Sequence, residues 1–158
     1  MREGKFLGHI ISKVVTIDPK IASSIQVISL CRNKKEIQPF LRKMIFLRRF
    51  IPNCAKILKD ITDMLKKDNE FKWTTHAKFS FSQIKKAIFE APVLANLDYS
   101  KKFSIFSFAL DATIEAVVLQ RNEDQHEKPI AFFSKVIRDA KLKYDIIKKQ
   151  AYSLVQAL

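Results

Sequence analysis

NKKEIQPFLRKMIFLRRFIPNCAKILKDITDML, residues 33–65, reads as two amphipathic helices joined at Ile51-Pro52-Asn53. Ile37, Phe40, Leu41, Met44, Leu47 and Ile51 recur at steps of three and four, which sets them on one stripe of a 3.6-residue helix. Lys35, Gln38, Arg42 and Arg49 fall on the opposite side, so one face can pack into a core while the other presents cations. Asn33 is placed to cap the first helix, with Glu36 at its third position. Pro52 cannot continue the backbone ladder and ends that helix, and Asn53 is expected to cap the second. The segment predicts a basic helical hairpin.

Charge is uneven along the 158 residues. Residues 1–67 hold 15 Lys/Arg against 5 Asp/Glu, and residues 68–158 hold 14 against 11. A positive field concentrated in one half favours a polyanionic partner, nucleic acid before an anionic membrane surface. With 47% hydrophobic and 28% charged residues the chain is globular, and its 2 glycines argue against a loop-rich all-β fold. Cys31 and Cys54 belong to no Cys/His cluster and read as free, partly buried thiols. His9, His76 and His126 lack metal-ligand spacing, so no metal site is expected from them. No stretch approaches the roughly 18 apolar residues of a membrane helix, and MREGKFLGH has no apolar signal core. A soluble intracellular protein is expected, with nucleus and cytoplasm both compatible and no membrane partner.

In chain order, residues 5–17 (KFLGHIISKVVTI) predict two strands with a bend near Ser12-Lys13. Asp18-Pro19 opens a helix to about Ser29 that buries Ile21, Ile25 and Ile28. After the basic hairpin, Lys66 to Glu70 reads as a turn and the main boundary. Thr74 to Glu90 predicts a helix with Ala77, Phe81, Ile84 and Ile88 inward, and Phe79 off that stripe. FSIFSFAL (103–110), IEAVVLQ (114–120) and KPIAFFS (128–134) alternate as antiparallel strands. Lys141 to Leu158 closes as a helix with Ile147, Ala151, Leu154, Val155 and Leu158 inward. Three strands and one helix leave a sheet edge unpaired.

These segments, in this order, resemble the C-terminal half of a gypsy-type LTR-retrotransposon reverse transcriptase running into its RNase H domain. Phe6-Leu7-Gly8-His9 looks like the FLGH strand of the primer-grip region, and Asp18-Pro19-Lys20-Ile21 is similar to the DPxKI start of the thumb. KEIQPFLRKMIFLRRFIPN (35–53) resembles the thumb pattern KEIxxFLGxxNFYRRFIPN. Phe71-Lys72-Trp73-Thr74 and Glu90-Ala91-Pro92-Val93-Leu94 match F-x-W-T and E-A-P-V-L. Ala116 to Gln120, Pro129 to Ser134 and Leu142-Lys143-Tyr144 match AVLLQ, PIAFFSK and LKY. The resemblance implies an α+β chain of three parts. Residues 1–17 are the end of the palm, residues 18–70 the helical thumb, and residues 71–158 a truncated RNase H-like domain of β-β-β-α order.

The family's chemistry is RNA-directed DNA synthesis and RNA–DNA hybrid degradation, and both use two metal ions held by carboxylates roughly 4 Å apart. The polymerase aspartate pair would lie before FLGH, and the chain holds no Asp-Asp dipeptide. In the RNase H-like part, alignment back from Gln120 puts Phe108 on the metal-binding aspartate and Gln150 on the catalytic glutamate. Neither residue supplies the anionic oxygen that Mg²⁺ requires, so no cofactor is expected. Asp111 falls three residues late in a turn, and Asp111 or Glu115 reads poorly as a substitute.

The thumb face keeps its logic: Lys34, Lys35, Arg42, Lys43 and Arg49, with Phe6, Leu7, Gly8 and His9 of the grip, imply contact with a template–primer duplex. Such contacts fix position without reading sequence. Pro39 and Arg42, which stands where the family keeps Gly, are departures, and Pro39 costs up to ~3 kcal/mol inside a helix. The expectation is a catalytically inactive reverse-transcriptase/RNase H fragment with weak, sequence-independent affinity for RNA–DNA or DNA duplexes. The alternatives are an interaction module that needs another chain to complete its sheet, and a transposon remnant without a role.

Overall fold

The computed structural model describes residues 4–158, and its architecture is α+β, as expected. Three short strands come first: β1 (Gly4–Phe6), β2 (His9–Ile11) and β3 (Val14–Ile17). This corrects the two-strand expectation: FLGH is not one strand but a hairpin, with Phe6 and His9 paired across Leu7-Gly8. Both turn residues have positive φ, 47° and 81°, the geometry of a tight two-residue hairpin, and Gly8 meets it without a Cβ penalty.

Helix α1 (Pro19–Gln26) starts where Asp18 accepts from the Lys20 N–H at 2.9 Å, with Pro19 in the first turn. It ends three residues short of the expected Ser29. Helix α2 (Lys34–Leu47) is capped as predicted: Asn33 Oδ1 accepts from the N–H groups of Lys35 and Glu36, while Glu36 reaches back to the Arg32 N–H at 2.7 Å. Pro39 lies within α2 without ending it, because it is exposed on the stripe shared by Lys35 and Arg42, where water can serve the carbonyl it leaves unpaired. A 3-10 turn, Arg48–Phe50, finishes the helix. Helix α3 (Cys54–Asp63) follows. Here a second expectation fails. Asn53 occupies the cap position with φ 56° and makes no side-chain capping bond.

Helix α4 (Thr75–Phe89) is capped by Thr74 and buries Ala77, Phe81, Ile84 and Ile88 as its period requires. These join Ile37, Phe40, Met44, Leu47 and Ile61 in one core. Phe40 and Trp73 both lie against Phe81, at 5.0 and 5.3 Å between ring centroids, and Trp73 Nε1 donates to the Cys31 carbonyl at 2.7 Å. Residues from both sides of position 70 share this core. Strand β4 (Leu94–Ala95) returns to pair with β3. Cys31 and Cys54 are free and buried, and burial pushes the Cys54 thiol up to about 12.

The second sheet is β5 (Phe103–Ala109), β6 (Thr113–Arg121) and β7 (Glu127–Val136), antiparallel in that order. A bulge at Val118/Leu119 leaves Ile130 without a direct partner. Helix α5 (Ile146–Ala157) begins five residues later than expected, after a 3-10 turn at Asp139–Lys143, because Asp145 caps it. Its orientation is the largest correction. Ser153 is fully buried, whereas Ile147 is 78% and Val155 65% exposed, so the helix presents its Gln150–Ser153 side to the sheet. Periodicity located the apolar stripe, but not which side would find a neighbour.

Candidate nucleic-acid interface

Helix α2 divides its residues as its period dictates. Ile37, Phe40, Met44 and Leu47 are buried, and Lys35, Pro39, Arg42 and Phe46 form an exposed stripe at steps of four, three and four. His9 joins the β1–β2 hairpin to this stripe. Its Nε2 lies 2.9 Å from the Phe46 carbonyl and its ring 5.0 Å from that of Phe50. The imidazole is buried, and burial with the nearby Arg49 charge lowers its pKa against the opposing pull of the Phe46 bond. Phe6 and Leu7, 62% and 52% exposed, are left at the hairpin tip beside the stripe.

The cations of the helical hairpin divide into two groups. Lys34 Nζ donates to the carbonyls of Lys66 and Asn69, each at 2.8 Å, which ties the end of α3 to the start of α2. Lys43 is half-buried and reaches Ser24 Oγ at 3.5 Å. Arg49 turns inward: Nη2 donates to the Ile130 carbonyl at 3.2 Å and the guanidinium lies 5.9 Å from the Phe50 ring centre. The bulge in β7 is what frees that carbonyl. Lys35 and Arg42 stay exposed, and among the described residues neither has a carboxylate within 4 Å. Phe6, Leu7, Lys35 and Arg42 are thus exposed and Gly8 is half-buried against Ile21, whereas His9, Lys34 and Arg49 are engaged in internal contacts.

The RNase H-like positions are equally specific. Gln150 Nε2 donates to the Ser107 carbonyl and its Oε1 accepts from the Ala109 N–H at 2.9 Å. These are the donor and acceptor that a neighbouring strand would otherwise supply. The carboxamide thus occupies part of the β5 edge that was expected to be free. Phe108, between those two residues, pairs with Glu115 and is 46% exposed on the opposite face. Asp111 stands exposed in the β5–β6 turn. Among the described residues no three His, Cys, Asp or Glu converge as metal ligands.

Two roles were invisible in the sequence. Glu115 is buried beside α3 and its carboxylate lies against the Asn53 carboxamide, which donates to it when the amide is turned so that its nitrogen faces the two oxygens. Burial raises the Glu115 pKa, with Lys56 pulling it down. Next to it Ser134 Oγ accepts from the Ala55 N–H at 2.9 Å, so β6 and β7 together cap the start of α3. The other role is that of buried Gln120, which accepts from the Asp98 N–H and donates to the carbonyls of Asp98 and Lys101, pinning the loop before β5. Only the AVVLQ motif had marked this residue.

The family model described as the RNase H-like domain found in reverse transcriptase matches residues 73–158. The chain belongs to this reverse-transcriptase family. The Tf2-3 and Tf2-4 transposon polyproteins of Schizosaccharomyces pombe are each 30% identical to it over 155 residues, which is 98% of this chain and 12% of each polyprotein. The foamy viral protease–reverse transcriptase in complex with RNA/DNA hybrid superposes with TM-score 0.83 at 26% identity, over 98% of this chain and 21% of that one. The same protein in complex with dsDNA gives 0.84 at 26% identity, over 99% and 33%. The chain therefore spans a small part of each relative, and residues 73–158 of it form the RNase H-like region.

Proposed function

We propose that this part of a gypsy-type retrotransposon reverse transcriptase grips a duplex without catalysing. The observation that carries the proposal is the exposed Lys35–Arg42 stripe beside the Phe6-Leu7 hairpin tip, free of carboxylate partners, in a fold whose solved neighbours hold an RNA/DNA hybrid and dsDNA. Lys35 and Arg42 contact backbone phosphates, Phe6 and Leu7 lie along the sugar edge of one strand, and no group reads a base. Binding is then insensitive to sequence and shared by RNA–DNA and DNA duplexes. Catalysis has no support from the donor set: a phenyl ring and a committed carboxamide stand where Mg²⁺ needs carboxylates.

The Lys35→Glu/Arg42→Glu double variant is expected to weaken duplex binding about 10- to 100-fold, equally for unrelated sequences, since each lost phosphate contact removes a similar electrostatic increment. Fluorescence anisotropy with two duplexes of different sequence reads this. An unchanged affinity removes the stripe from the interface. A second reading, in which another chain completes the second sheet, draws on the exposed Phe103, Phe106, Ile147 and Val155. Sedimentation across protein concentration separates the readings, because a cooperative monomer needs no such chain.

A further inference from the structure

A cleft of about 850 Å³ lies between the thumb hairpin and the segment that follows β7. Its floor is aliphatic, with Leu41, Met44, Leu58, Leu65 and Val136 in the lining, and Ile45 stands at its mouth 59% exposed. Its rim is cationic: Arg42, Arg48, Lys135, Arg138 and Lys141 line it against one carboxylate, Asp139. None of the five has a carboxylate within 4 Å among the described residues. Two of them crowd the same wall: Lys141 Nζ lies 3.2 Å from the Tyr152 hydroxyl and 4.6 Å from its ring centre, and Lys135 is held to Gln156 at 2.6 Å.

Converging cations without counter-charges repel one another, and a bound polyanion relieves that repulsion. The floor decides which polyanion. Single-stranded nucleic acid is held by successive aromatic platforms on which bases stack, whereas here Leu41, Met44, Leu58, Leu65 and Val136 outnumber two tyrosines, of which Tyr152 is covered by Lys141 and only Tyr144 keeps a partly open ring, 39% exposed. Aliphatic grooves of this kind receive the apolar face of an amphipathic helix, anchored at i, i+3, i+4 and i+7. We propose that the cleft docks an acidic amphipathic helix of a partner protein, its apolar face on Leu41, Ile45 and Leu58 and its carboxylates on Arg48, Arg138 and Lys141. Such a helix bridges α2 and α3 to the turn after β7 and clamps the thumb against the RNase H-like sheet. Arg42 belongs both to the rim of this cleft and to the duplex stripe of α2, so the test varies only residues outside that stripe.

The test titrates the whole chain into a fluorescently labelled helical peptide with leucines on one face and glutamates on the other, alongside the same peptide with lysines for glutamates. The glutamate peptide is expected to bind and the lysine peptide not. Ile45→Glu and, separately, Arg138→Glu/Lys141→Glu are each expected to weaken binding at least tenfold; all three positions are exposed, and near-ultraviolet circular dichroism verifies each fold. The proposal is overturned if the glutamate peptide does not bind, if both peptides bind alike, or if both variants bind as the parent does. It is also overturned if single-stranded oligonucleotide displaces the peptide and itself loses affinity in Ile45→Glu, which makes the cleft a nucleic-acid groove.

Discussion

Gln150→Glu is expected to lower the unfolding free energy by about 3 kcal/mol at pH 7 and to create no magnesium-dependent nuclease. The carboxamide makes two bonds of opposite sense to β5, accepting from Ala109 and donating to Ser107. A carboxylate keeps the first, loses the second and sets a negative oxygen against the Ser107 carbonyl. Leaving such a group unpaired costs about 1–3 kcal/mol, and more when a charge is involved. For a chain of this size the loss corresponds to a fall in Tm of roughly 6–12 °C. Urea unfolding at constant m-value measures it. A glutamate variant as stable as the parent would show that the amide is not what fastens α5 to the sheet. The substitution that looks like the repair of a lost catalytic residue is, in this fold, damage.

Asn53→Asp should cost about 3 kcal/mol at pH 7 and much less at pH 5. Asparagine and aspartate both tolerate the left-handed conformation at φ 56°, so the backbone is nearly unaffected. The side chain is affected, because a donor to the buried Glu115 carboxylate becomes a second carboxylate beside it. Burial already raises the Glu115 pKa, and the new charge raises it further. A carboxyl whose pKa is higher in the folded state contributes stability below its unfolded pKa and loses it as pH rises through the folded one. The deficit therefore grows as pH rises out of the ordinary carboxylate range and through the raised Glu115 value. Combining the change with Glu115→Gln should remove most of both the deficit and its pH dependence. A deficit that is constant with pH and indifferent to Glu115→Gln would mean the two side chains are uncoupled.

Local signals in the sequence carried far where the answer is local. The Asn33–Glu36 cap, the Asp18-Pro19 start and the buried faces of α2 and α4 follow from spacing and capping chemistry, and the structure holds all of them. The three strands of the second sheet are equally direct, since their alternation and short turns leave little choice of pairing. What failed was long-range. Asn53 looks like a helix cap, and only the fold sets Glu115, 62 positions later, where it claims the amide. Arg49 reads as one more surface cation until the bulge in β7 offers it the Ile130 carbonyl. Helix α5 has a clear apolar stripe, but Gln150 and Ser153 bond the backbone of β5 and β6 and turn that stripe outward.

The central claim, a grip without catalysis, is tested most directly by duplex affinity across salt concentration, with and without Mg²⁺, using a labelled RNA–DNA hybrid. The account predicts a log–log slope of about −0.9 for each phosphate contacted, a slope shallower by about 1.8 in Lys35→Glu/Arg42→Glu, and an intact RNA strand in either condition. Affinity that stays flat with salt, or RNA cleaved only when Mg²⁺ is present, would contradict it.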